Sequence, residues 1–129
     1  MKIYFTASTT HDGTLRNNYK KIFLLLKKYG IMLSGQQIID IKLLKKDQIL
    51  PKKAIFKREK ELIDQSDCVI AEVSQPSHGV GGEIVYALIN DKPVLALLFE
   101  NHEDKISPMI SGNPSDNFFF EHYINEKLP

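Results

Sequence analysis

Apolar residues change their period along the chain, and the changes divide it into elements. Residues 2–5, Lys-Ile-Tyr-Phe, are a short β-branched and aromatic run that gives way to the turn-prone Thr-Ala-Ser-Thr-Thr-His-Asp-Gly, which reads as a first strand and a loop. Leu15, Tyr19, Ile22, Phe23 and Leu26 then recur at helical spacing, with Gly30 as the stop. Residues 31–33, Ile-Met-Leu, predict a weak second strand. Residues 34–50 show neither period, and a mobile loop with a short helix is expected there. Pro51 suits the first turn of a second long helix to about Ser66, with Ile55, Leu62 and Ile63 on its apolar face. Residues 68–73 and 94–99 lack alternation, as strands covered on both faces do. Between them Val80, Ile84, Ala87 and Leu88 predict a helix from about Gly79 to Asn90, and residues 118–123 add a last strand or edge segment.

Strands that alternate with helices in this way predict an α/β fold, a doubly wound sandwich with ligands at the carboxyl ends of its strands. At 129 residues one domain, 1–129, is expected, with enough core to need no staple. The single cysteine, Cys68, lies in an apolar run and is expected to be a buried, reduced, small hydrophobe. A net charge of +1 gives no global pull toward nucleic acid or membrane. Eight Lys and Arg residues between Lys42 and Lys60 read as a solvated face, one that could still steer a small anion. No secretory signal is visible at the N-terminus and no apolar run approaches the roughly 20 residues of a membrane span, so a cytoplasmic protein is expected.

The strand-end rule brings three loops to one crevice, those after the first, third and fourth strands. The middle one, Ser-Gln-Pro-Ser-His-Gly-Val-Gly-Gly-Glu (74–83), is the most pointed. Ser77, Gly79, Gly81 and Gly82 at a helix start make an anion cradle, with Glu83 beside it. A carboxylate in a first turn also has an ordinary reading, as a favourable charge at the positive helix end. The pattern is neither G-x-G-x-x-G nor a P-loop. Glu59 falls on the apolar stripe of the second long helix, four residues from both Ile55 and Ile63. It either points inward, which requires a partner or a wet crevice, or lies at the margin and reaches a lysine. Two carboxylates at one crevice are the usual means of cleaving a glycosidic bond, one as nucleophile and one as acid/base.

These segments resemble a known family. "IYFTAS" at the start, "SDCVIAEVSQPSHGVGGEI" in the middle and "ISPMISG" at 106–112 are similar to the nucleoside 2-deoxyribosyltransferase superfamily, nearest its 2′-deoxynucleoside 5′-monophosphate N-glycosidase branch. The resemblance implies a flavodoxin-like (Rossmann-like) three-layer sandwich with a mainly parallel five-stranded sheet, and a homodimer. It implies that Glu83 attacks C1′ of the deoxyribose and displaces the base, that water then releases deoxyribose 5-phosphate, that Tyr4 orients Glu83, and that Glu59 assists at sugar and base. It further implies that Ser8 and Ser77 hold the phosphate, that the neighbouring subunit supplies Ser107, and that no metal or organic cofactor takes part. The chain departs from the family at Glu59, usually aspartate, at Thr10, where the monophosphate glycosidases carry arginine and where His11 could partly substitute, and at Gly82, often tyrosine.

Each of these residues also has a bland reading: Tyr4 as a strand aromatic, Ser77 and Ser107 as helix caps, His11 and His78 as solvated loop residues. Two other functions stay open, a deoxyribosyltransferase acting on unphosphorylated nucleosides and an inactive nucleotide-binding relative. A flavin carrier is disfavoured because no tryptophan is present to stack on the ring, and a phospho-acceptor domain because only Asp12 stands at the first strand's end.

Overall fold

The computed structural model describes residues 1–9 and 13–128. Strands β1 (Lys2–Ala7), β2 (Ile31–Met32), β3 (Cys68–Glu72), β4 (Val94–Phe99) and β5 (Phe118–Tyr123) form one sheet in the order β2-β1-β3-β4-β5, every neighbouring pair parallel. The helices are α1 (Arg16–Leu26), α2 (Gln36–Ile39), α3 (Ile41–Gln48), α4 (Lys52–Gln65), α5 (His78–Ile89) and α6 (Pro108–Ser111).

Side-chain alternation along β1 explains the layering. Ile3, Phe5 and Ala7 pack with Leu15, Tyr19, Ile22 and Phe23 at α1 and Ile38 of α2. Tyr4 faces the opposite side, in a second core with Ile63 of α4 and Val80, Ile84 and Ala87 of α5. Helices thus cover both faces of a parallel sheet in the flavodoxin-like order, and the expected three-layer sandwich holds. β3 and β4 feed both cores, which is why neither alternates in sequence. Ala71 and Ala96 are register neighbours with no exposed surface, and the small pair leaves room for α5 to lie close to the sheet.

Residues 34–50 correct the expectation of a mostly irregular loop, because they form α2 and α3. α2 buries only Ile38 and α3 buries nothing, so neither presents a period strong enough to read. Local geometry sets their starts instead. Gly35 adopts φ 114°, and a Cβ there would lie 2.9 Å from Phe23 and 3.0 Å from Phe5, so only glycine fits. Asp40 caps α3 by accepting the Lys42 N–H at 2.9 Å. Pro51 is the cap residue before α4 rather than its first helical residue. Cys68 is half-buried, and burial raises its thiol pKa.

At the carboxyl end of β3 the chain turns through a buried polar knot. Glu72, 1% exposed, accepts the Ser74 N–H at 2.7 Å, the Ser74 hydroxyl at 3.0 Å and the Tyr123 hydroxyl of β5. Tyr123 accepts in turn from the Asn18 amide, and Ser74 Oγ accepts the Phe99 N–H at 2.8 Å. Burial raises the pKa of Glu72 while these donors pull it down. The knot fixes the segment that leads to Ser77 and α5.

Candidate active site

Tyr4 and Thr6 stand two residues apart on β1 and point to the same side of the sheet, toward α4 and α5. Tyr4 is 2% exposed and donates its hydroxyl to Glu59 Oε2 at 2.6 Å. Glu59 therefore points inward from mid-α4, and its cationic partner is an arginine rather than a lysine. Arg58 donates through Nε at 3.1 Å and Nη2 at 2.7 Å to Glu59 Oε1. The same guanidinium forks onto Asp47 of α3, at 2.9 and 2.7 Å.

Glu83 lies one turn deeper than its sequence context suggests. α5 opens at His78, capped by the Ser77 hydroxyl accepting the Val80 N–H at 3.3 Å, so Glu83 is the sixth helical residue. The helix-end charge fades within the first turn, and the ordinary explanation for a carboxylate there does not apply. Its Oε2 is buried with no hydrogen-bond partner among the described residues. Burial raises its pKa to about 7 and the nearby Glu59 charge adds to the rise, while the Tyr4 and Thr6 hydroxyls partly offset it. Burial and both carboxylates push the Tyr4 phenol far above its ordinary 10, so it stays a donor.

Two cavities meet at the carboxylate pair. One, of about 570 Å³, is walled by Thr6, Leu44, Asp47 and Arg58. The other, of about 540 Å³, follows the α4–α5 groove past Ile55, Phe56, His78, Gly79 and Tyr86. At the N-terminus of α5, Gly79 lies between Ser77 and Glu83: a Cβ there would lie 3.7 Å from Glu83 Oε1 and 3.8 Å from Ser77 Oγ. A buried carboxylate that titrates near neutrality, beside an ion-paired one and a phenol donor, has the components for attack on an electrophilic carbon and for proton handling.

The structure thus brings Tyr4, Glu59, Glu83, Ser77 and Gly79 together. Ser8 is buried at the end of β1. Gly81 lines a neighbouring groove between α5 and α6 that also holds Ser107, is bordered by Ser77, and shares His78, Gly82 and Tyr86 with the α4–α5 groove. Ser107 is exposed and caps α6 by accepting the Met109 N–H at 3.1 Å. Thr10 and His11 lie outside the described residues. Thr6, Arg58 and Asp47 escaped the sequence reading. The two-residue step from Tyr4 along a strand could have found Thr6, whereas Arg58 was hidden in a run of cations that mostly face water.

The family model described as nucleoside 2-deoxyribosyltransferase matches residues 3–117. A Thermofilum pendens protein named "Putative 2'-deoxynucleoside 5'-phosphate N-hydrolase 1" is 35% identical over 118 residues, 92% of this chain and 82% of its own. The 5-hydroxymethyl-dUMP N-hydrolase of Mus musculus is 32% identical over 112 residues, 85% of this chain and 64% of its own. Among solved structures, a Clostridium botulinum CMP N-glycosidase superposes with a TM-score of 0.64 at 18% identity, covering 95% of this chain and 88% of its own, a likeness of fold. Matched over most of its length, the chain belongs to the nucleoside 2-deoxyribosyltransferase family and is an enzyme of the N-glycosidase and deoxyribosyltransferase class.

Proposed function

We propose that the protein hydrolyses the N-glycosidic bond of 2′-deoxynucleoside 5′-monophosphates to free base and deoxyribose 5-phosphate. The observation that carries this reading is the buried Glu83, with an unpartnered oxygen, beside Tyr4 and Glu59 and one turn below the Ser77-capped N-terminus of α5. The names of relatives at 35% and 32% identity, a 2′-deoxynucleoside 5′-phosphate N-hydrolase and a 5-hydroxymethyl-dUMP N-hydrolase, support the choice of substrate.

In this reading the 5′-phosphate rests on the α5 N-terminus against Ser77 and Gly79, with Ser8 at the end of β1 as a further contact. That places C1′ toward Glu83. A Glu83 carboxylate oxygen bonds to C1′ as the C1′–N bond breaks, and the base leaves with the electron pair and takes up a proton from solvent. Water then attacks C1′, its proton passes to Glu59 or to solvent, and Glu83 is released as carboxylate. Tyr4 donates its hydroxyl to Glu59 and holds it in place beside Glu83. The chain acts as a homodimer whose partner supplies Ser107.

Product analysis tests this. The pure protein is incubated with each deoxynucleoside 5′-monophosphate, and separately with each deoxynucleoside plus a free acceptor base. Free base and deoxyribose 5-phosphate are expected from the first set, and Glu83→Gln should lose turnover at least about a thousandfold while still binding nucleotide. A new nucleoside from the second set alone would make the protein a transferase. Silence in both, with nucleotide binding kept, would make it an inactive relative.

A further inference from the structure

One cation of the basic run, the half-buried Arg58, is turned toward the carboxylates. Arg58 and Glu59 are consecutive on α4, and consecutive helical side chains do not ordinarily face each other. The guanidinium nevertheless folds back onto Glu59 Oε1 while its fork grips Asp47. Asp47 comes from α3, a helix that buries none of its residues, and the fork ties that helix to α4 beside the cavity it walls. A continuous chain results: Asp47, Arg58, Glu59 and Tyr4, with Tyr4 set against Glu83.

We propose that Arg58 is a positioning residue that holds Glu59 against Tyr4 and lowers the proton affinity of the neighbouring Glu83, with Asp47 of α3 orienting and partly neutralising it. This rests on the reading of Glu83 and Glu59 given above. The guanidinium stays charged at any working pH, and its planar fork can engage both carboxylates at once, which the point charge of a lysine cannot do. Glu59 is faced by Tyr4 from β1, Glu83 from α5, Asp47 from α3 and Arg58 from its own helix. Lys52, Lys60 and His78 stand around the α4–α5 groove on its other side, Lys60 committed to Asp64 at 3.3 Å. Loss of the Arg58 charge therefore raises the proton affinity of Glu83. Loss of the Asp47 charge lowers it, because Arg58 then acts on Glu83 uncompensated.

The opposite signs separate this role from simple scaffolding. The test compares wild type, Arg58→Gln, Arg58→Lys and Asp47→Asn in two ways: kcat/KM against pH with deoxynucleoside 5′-monophosphates, and ¹³C-carboxyl NMR titration of glutamate-labelled protein, which needs no turnover. Arg58→Gln should lower kcat about tenfold or more and move both the acid limb and the Glu83 titration up by about one pH unit. Asp47→Asn should move both down. Arg58→Lys should keep the limb near its wild-type position yet still lose rate. If Arg58→Gln and Asp47→Asn leave the titrations unmoved, or move them the same way, the proposal is wrong. Should wild type turn over no substrate, the functional reading fails, and the NMR titrations still decide the role of Arg58.

Discussion

Glu83 is the residue at which stability and function oppose each other. Its carboxyl titrates near 4.5 in an open chain and at about 7 in the folded protein, chiefly because folding takes it out of water. A raised carboxyl pKa means that the folded state binds the proton more tightly than the unfolded one. The associated stability is fully present below pH 4.5 and is lost as pH rises through 7, reaching a deficit of roughly 3 kcal/mol at pH 8. Glu83→Gln removes the ionisation and keeps the shape. Urea unfolding should show the variant more stable than wild type at pH 8, with the difference gone by pH 4 and the m-value unchanged. A gain of the same size at both pH values would mean that the carboxyl is not the source. The ionised form is also the nucleophile, so turnover should climb through about pH 7 as stability falls.

At the scale of elements, the polar knot at the end of β3 decides how firmly the loop before α5 is held. Tyr123→Phe removes the hydroxyl that Glu72 accepts and leaves the Asn18 amide without its acceptor, at a cost of about 1–3 kcal/mol. Because Ser74 hangs on the same carboxylate and leads to Ser77, the variant should also raise KM for a monophosphate substrate more than it lowers kcat; an unchanged KM would separate the knot from substrate binding. Elements that bury a face were readable from sequence. α1, α4 and α5 carry apolar residues at helical spacing, and β1, β3 and β4 are short, mostly apolar runs. α2 and α3 bury one residue between them, and their starts depend on a left-handed glycine and an aspartate cap, which are weak signals in a stretch of Gln, Lys and Ile. The site follows the same logic. Glu59 was visible because it interrupts an apolar stripe, and Glu83 because it follows a glycine-rich turn. Arg58 was not, since its partner Asp47 lies eleven residues away on a helix that sequence did not reveal. Glu72 read as one more strand residue because the tyrosine and asparagine that satisfy it come from β5 and α1.

At the scale of the whole molecule, one face remains to be accounted for. Val85 and Ile89 on α5 and Met109 on α6 are exposed to 47%, 74% and 80%, beside a groove of about 780 Å³ that also holds Ser77 and Ser107. Apolar side chains grouped around a groove at a helix pair are what an interface between copies presents. Ser107 borders this groove and neither of the cavities that meet at Glu59 and Glu83, so in one chain it stands apart from the carboxylates. A twofold partner docked on α5 could bring its own Ser107 toward the phosphate end of the site. Ile89→Asp should then yield a monomer by light scattering and cost activity even though Ile89 lines neither carboxylate cavity. The sharper test mixes two defective homodimers. Ser107→Ala should lose at least about tenfold in kcat/KM through the phosphate hydrogen bond, and Glu83→Gln should be inactive. After subunit exchange, the mixed dimer pairs an intact Glu83 from one chain with an intact Ser107 from the other at a single site. Activity at low substrate should therefore rise above that of either parent alone. If exchange is shown by mass and activity stays at the average of the parents, each chain completes its own site, and the exposed face of α5 serves something other than catalysis.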